Sequence, residues 1–150
     1  ETIDLNEVLL NVRNDLLHQI EKSQASIVHN PLPKIQAKAS HIHQLFQNLI
    51  SNAIKFQPLK DQNKPEIVIT GSTDDEFNYI EFKDNGIGIE KEFLNEIFVK
   101  FKRLHSKDKY EGTGLGLATC KRIVEYYNGE IQISSEKGIG TSIIIKFMKK

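Results

Sequence analysis

NLISNAIKF, residues 48–56, is the stretch whose reading decides the fold. Asn48, Asn52 and Lys55 stand four and three residues apart, so at about 100° per residue they share one helix face. Beside that face runs an apolar stripe, Ile42, Leu45, Phe46, Leu49 and Ala53, which predicts a helix over 40–56. Pro58 stops it soon afterwards. The polar trio therefore lies at the rim of the core that the stripe packs into. For a lone Asn-x-x-x-Asn, the ordinary reading is a solvated face of an amphipathic helix.

Upstream, Asp4 and Glu7 fit a capping box ahead of a helix with Val8, Leu9, Val12, Leu16 and Ile20 at helical spacing. Short extended segments follow near 27–29 and 34–36, punctuated by Asn30-Pro31 and Pro33. Downstream, 59–64 reads as a polar loop, and 66–72 and 78–84 as a β-hairpin joined across 73–76. A short helix around 91–98 precedes a charged stretch over 100–111. A further helix runs from about 114 to 127 and ends at Asn128-Gly129. Strands at 131–134 and 141–147 flank a turn with Gly138 and Gly140. This order predicts an α+β fold, a two-layer sandwich of one mixed β-sheet with helices packed on one face.

A chain of 150 residues is one domain, able to bury roughly 70% of its unfolded surface. Twenty basic and twenty acidic side chains cancel, so no overall attraction to nucleic acid or anionic membrane is expected. No apolar run approaches the roughly 20 residues of a membrane span, and no signal peptide opens the sequence. Cys120 stands alone, which excludes an internal disulfide and fits a reducing compartment. The chain opens on Glu1, and the expectation is a monomeric, cytoplasmic piece of a longer protein whose other segments carry sensor or membrane-anchoring functions.

Two more motifs follow in order, DNGIG at 84–88 and GTGLGL at 112–117. Asp84 ends a predicted strand, the right context for a binding loop, and its carboxylate can accept from an amino group. Taken alone, Asn85-Gly86 is equally a strong type I′ hairpin signal. GTGLGL opens a helix, so the N–H groups of Gly114, Leu115 and Gly116 can face an anion at a helix N-terminus; a glycine hinge is the other reading. Together the three motifs supply what a nucleoside triphosphate needs. They offer a magnesium ligand, an acceptor for the adenine amino group, and glycines that let backbone N–H groups approach phosphate.

The set resembles the ATP-binding catalytic domain of sensor histidine kinases, a Bergerat-type fold shared with type II topoisomerases, mismatch-repair ATPases and a heat-shock chaperone. The resemblance covers nearly the whole chain and implies ATP and Mg2+ as cofactors. It makes Asn52 the magnesium ligand through its amide oxygen, a suitable hard donor. Lys55 would reach the phosphates, Phe56 border the base, and Asn48 orient the cluster. Asp84 would read adenine, since guanine presents a carbonyl there and leaves the carboxylate unpaired. Gly86, Gly88 and Ile89 would bend around the base, while Gly112, Thr113, Gly114, Leu115, Gly116 and Leu117 form the phosphate loop. Thr141, in GIGTSIII at 138–145, would lie near adenine and Asp84. Residues 91–111 resemble the family's ATP lid, whose IFVKFKRLH stretch carries Phe98, Phe101 and Arg103, the last reaching the γ-phosphate.

Departures from the pattern are informative. Hydrolytic members carry a glutamate where Asn48 stands, and an amide cannot take a proton from water. The site is therefore expected to hold ATP for a nucleophile from elsewhere, a histidine on a separate dimerisation domain. None of His18, His29, His41, His43 and His105 has the family's phospho-acceptor context His-Glu-Leu-Arg-Thr-Pro. Residues 1–150 thus read as the catalytic domain without its acceptor domain, unable to phosphorylate itself. Its implied partners are that domain and a response regulator receiver domain. All five histidines read as surface residues, and His41 and His43 make a poor metal pair, pointing about 200° apart. Cys120 falls beside Leu117 and Val124 and reads as core, while Lys38 stands where an aspartate commonly caps the helix. Two alternatives stay open: an anti-sigma-type serine kinase, against which the lid and the opening TIDLNEVL argue, and a nucleotide-binding docking module without kinase activity.

Overall fold

Alternation of apolar and polar side chains builds the sheet on which the rest is assembled. A computed structural model of the chain describes residues 1–57, 64–89 and 116–149. The expected polar loop, the short helix at 91–98, the lid-like segment and the first glycines of GTGLGL lie outside these residues. The elements are β1 (Thr2–Asp4), α1 (Leu5–Asp15), α2 (Leu17–Ser23), β2 (Ser26–His29), β3 (Lys34–Gln36), α3 (Ala39–Lys55), β4 (Glu66–Thr73), β5 (Phe77–Asp84), α4 (Gly116–Tyr126), β6 (Glu130–Glu136) and β7 (Gly140–Met148).

Strands β2, β4, β5, β7 and β6 form, in that order, a five-stranded mixed sheet in which β2 and β4 are parallel. The inward residues stack in rows across β5, β7 and β6. Ile80, Ile145 and Ile131 make one row, and Phe82, Ile143 and Ile133 the next. Helices α1, α3 and α4 close this face with Leu9, Val12, Ile42, Leu45, Phe46, Ile50 and Val124, all of them fully buried. Phe46 meets Phe82 edge-on at 5.1 Å between ring centroids, which joins α3 to the middle of the sheet. The two-layer α+β arrangement is the one expected. Among the described residues two edges of the sheet have no neighbouring strand: β2 has four residues and runs into Asn30-Pro31, and β6 has exposed Glu130 and Glu136 at its ends. Among the described residues no helix is long and apolar enough to cross a membrane.

Several details differ from the sequence reading. The opening helix is two helices, because Leu16 leaves the helical region at φ −99° and ψ 10°. Its side chain stays buried, so the apolar periodicity runs straight through the break. Asp4 does cap α1, accepting from the Asn6 N–H at 2.9 Å, but among the described residues no bond from Glu7 completes the box. Strand β1 was not expected; it pairs with β3 in a separate two-stranded sheet. The end of α4 at Asn128-Gly129 is as expected, a Schellman motif in which Asn128 takes the left-handed backbone at φ 59°. There the Gly129 N–H donates to the Val124 carbonyl and the Asn128 N–H to that of Glu125, both at 2.9 Å.

Candidate functional site

The third inward row of the sheet is polar. Asp84, Thr141 and Ser135 stand opposite one another across β5, β7 and β6, where the two rows behind them are apolar. The chain leaving Asp84 is then stitched to its surroundings through its backbone. Ile87 donates to the Phe56 carbonyl at 3.0 Å, and Gly138 donates to the Ile87 carbonyl at 2.7 Å. The Asn85 amide accepts from the Glu66 N–H at 2.9 Å and donates to the Lys64 carbonyl at 3.0 Å. Asn85-Gly86 therefore turns no hairpin: β5 has β4 and β7 as its neighbours, and the segment runs instead against the end of α3.

The two glycines of this segment let backbones meet. A Cβ on Gly86 would stand 2.5 Å from the Phe56 carbonyl oxygen, and one on Gly88, whose φ is +74°, would stand 2.1 Å from that of Glu136. Their bare α-carbons serve backbone-on-backbone packing, which holds the loop between α3 and the β6–β7 turn.

Asp84 is held by one oxygen. Its Oδ1 accepts from the Gly86 N–H at 2.8 Å and from the Thr141 N–H at 3.3 Å, while Oδ2 has no partner among the described residues. Burial raises its pKa above the ordinary aspartate value, and the two backbone N–H bonds pull the other way. The result is a fixed, partly desolvated acceptor at the end of an apolar face.

The C-terminal end of helix α3 meets the same segment through the Phe56 carbonyl. Asn52 is half-buried, and its amide has no partner among the described residues. Lys55 is exposed. Asn48 is half-buried beside the thiol of Cys120 on α4, whose pKa it draws down, and that thiol donates to the Leu45 carbonyl at 3.9 Å. Cys120 itself is fully buried, and burial pushes its pKa up to about 12 against the effect of Asn48, in keeping with a core residue. Phe56 is half-buried at the end of α3, Ile89 donates its N–H to the Ser135 hydroxyl at 2.7 Å, and Gly116 opens α4 with Leu117 packed on the core. Arg103, Gly112, Thr113, Gly114 and Leu115 lie outside the described residues.

Among the described residues no cluster of three His, Cys, Asp or Glu side chains could hold a metal ion. His43 pairs with Asp15 at 2.8 Å. His41 is not simply a surface residue: it is half-buried, with Nδ1 2.6 Å from the Tyr127 hydroxyl. Ser135 is the residue that sequence reasoning missed. A serine in phase with Ile131 and Ile133 on an inward strand face was the available signal.

Residues 37–150 match the family model for the histidine kinase-, DNA gyrase B-, and HSP90-like ATPases. The chain belongs to that family. Its relatives within this ATPase family include cyanobacterial phytochrome A of Nostoc sp., 40% identical over 139 residues, which are 93% of this chain and 18% of that protein. The sensor protein RprX of Bacteroides fragilis is 36% identical over 152 residues, 95% of this chain and 28% of RprX. The chain thus spans under a third of the length of either. Among solved structures, the catalytic domain of histidine kinase ThkA superposes with a TM-score of 0.80 at 24% identity, covering 99% of this chain and 97% of that one, and shares the fold.

Proposed function

We propose that this ATPase-family chain, residues 1–150, is the catalytic domain of a sensor histidine kinase. It binds Mg-ATP and presents the γ-phosphate to a histidine on a separate dimerisation domain, from which a response regulator receiver domain takes it. The observation that carries this reading is Asp84, with one carboxylate oxygen pinned by two backbone N–H groups and the other left without a partner among the described residues.

That free oxygen suits the 6-amino group of adenine, and a 6-oxo purine would leave it unsatisfied. Asn52 fits magnesium, because it is a neutral, hard oxygen donor, half-buried and otherwise unengaged among the described residues. Bound there, the ion would offset phosphate charge. Lys55, exposed at the last turn of α3, adds a cation for the phosphate side. Asn48 cannot act as a general base, because a neutral amide takes no proton from water, so the chain holds water unactivated and keeps ATP for its partner. Arg103 and the GTGLGL glycines enter this reading through the family resemblance.

The test has two steps. ATP should raise the melting temperature of the chain, more so with magnesium, and the chain should then phosphorylate a supplied dimerisation domain. No nucleotide-dependent stabilisation would overturn the reading. Binding without transfer would favour a nucleotide-binding docking module.

A further inference from the structure

Ser135 uses every hydrogen-bonding site of its hydroxyl. The oxygen accepts from the Ile89 N–H at 2.7 Å, its own proton goes to the Gly140 carbonyl at 3.1 Å, and Thr141 Oγ1 lies 2.8 Å away. A serine hydroxyl has one proton and two acceptor sites. The Gly140 carbonyl can only accept, so all three contacts are satisfied at once only with the Thr141 hydroxyl as donor in the remaining bond. Thr141 therefore points its proton at Ser135 and offers only lone pairs to anything bound beside it. Its neighbour across the sheet is Asp84, which also offers only acceptors when ionised.

Resting on the ATP reading above, we infer that Ser135 is a positioning residue for base selection. It fixes the Thr141 hydroxyl as an acceptor, so that Asp84 and Thr141 together face an exocyclic amino group. A 6-amino purine brings two N–H protons to this pair. A 6-oxo purine brings a further acceptor and no proton on its 6-substituent. Without Ser135 the Thr141 proton is released, and it can turn towards a 6-oxo group. Ser135 touches no nucleotide in this scheme; it acts through the polarity of its neighbour.

The experiment is calorimetric titration of the chain with ATP and with ITP, which differ at the 6-position. Ser135→Ala should lower the preference for ATP over ITP by about three- to tenfold, one hydrogen bond's worth, largely through tighter ITP binding. Ser135→Thr, which returns a hydroxyl, should restore it. Thr141→Val removes the oriented hydroxyl directly and should lower the preference too, giving the same readout if Ser135→Ala does not fold. A purely architectural serine would weaken both nucleotides alike and leave the ratio unmoved. An unchanged ratio in folded Ser135→Ala, or in Thr141→Val, overturns the inference while ATP binding by the parent chain stands. If the parent chain binds no ATP, the ATP reading falls and this inference falls with it.

Discussion

The Tyr127 hydroxyl accepts the Lys38 N–H at 3.0 Å and so caps α3 from beyond the end of a different helix. Lys38 has the extended backbone of an N-cap, with φ −82° and ψ 130°, but its side chain has no oxygen to accept with. Tyr127 instead accepts the N–H of Lys38 itself, from just past the end of α4, and also meets His41 Nδ1 at 2.6 Å. The start of the helix that carries Asn52 is thereby tied to the segment that leaves the helix layer.

Lys38→Asp should supply a local cap and stabilise the chain by about 1 kcal/mol. Tyr127→Phe should cost about 1 kcal/mol, and less in the Lys38→Asp background if the two acceptors serve the same helix end. Urea unfolding of the four chains measures both effects and their coupling.

Asp84 sets a pH dependence with a definite sign. Burial raises its folded pKa above the unfolded value, so folding favours the protonated form. That contribution is complete below the unfolded pKa and is lost as pH rises through the raised folded pKa. Asp84→Asn should therefore melt no lower than the parent at pH 7. The same change should erase the preference for ATP over GTP, worth roughly 1–3 kcal/mol. ATP affinity needs the carboxylate and should fall as pH drops through that raised pKa, earlier than for an exposed aspartate. Melting curves and calorimetry between pH 4 and 8, on a scale of about one pK unit, check each part.

Asn52→Ala should abolish phosphotransfer to a supplied dimerisation domain and leave stability within about 0.5 kcal/mol, since its amide has no partner among the described residues. Transfer that persists at limiting magnesium would remove Asn52 from the site.

Cys120 should resist alkylation in the native chain. With its pKa near 12 rather than the ordinary 9.0, its thiolate fraction is about a thousandfold smaller at neutral pH. Labelling with iodoacetamide at pH 8 should track unfolding in urea, and prompt labelling of native protein would contradict the burial.

Local pattern made much of this molecule legible before its structure. The stripe from Ile42 to Ala53 and the alternation in β4 and β5 each answer to one buried face, and all three elements appear within two residues of their expected bounds. The break at Leu16 was hidden because a buried leucine keeps the periodicity while its backbone departs from it. Strand β1 was hidden because three residues carry no period and are ordered only by pairing with β3 more than thirty residues on. Asp84 and Thr141 were readable from motifs, whereas Ser135 acquires its meaning only when the register sets it opposite Thr141. The close packing of Gly86 on Phe56 and of Gly88 on Glu136 could not be read from the motif, because those partners are remote in sequence.

The open edges of the sheet bear on how the protein behaves in a crowded solution. Strand β2 is too short, and too soon interrupted by Pro31, to template a second chain. Strand β6 is longer, seven residues with no strand on its outer edge among the described residues, and is the more exposed to self-association. Its defence is the glutamate at each end. If two copies met edge to edge in full register, antiparallel pairing would set Glu130 against Glu136, and parallel pairing would set each against itself. Either way like charges face each other, so the strand most able to aggregate repels its own copy.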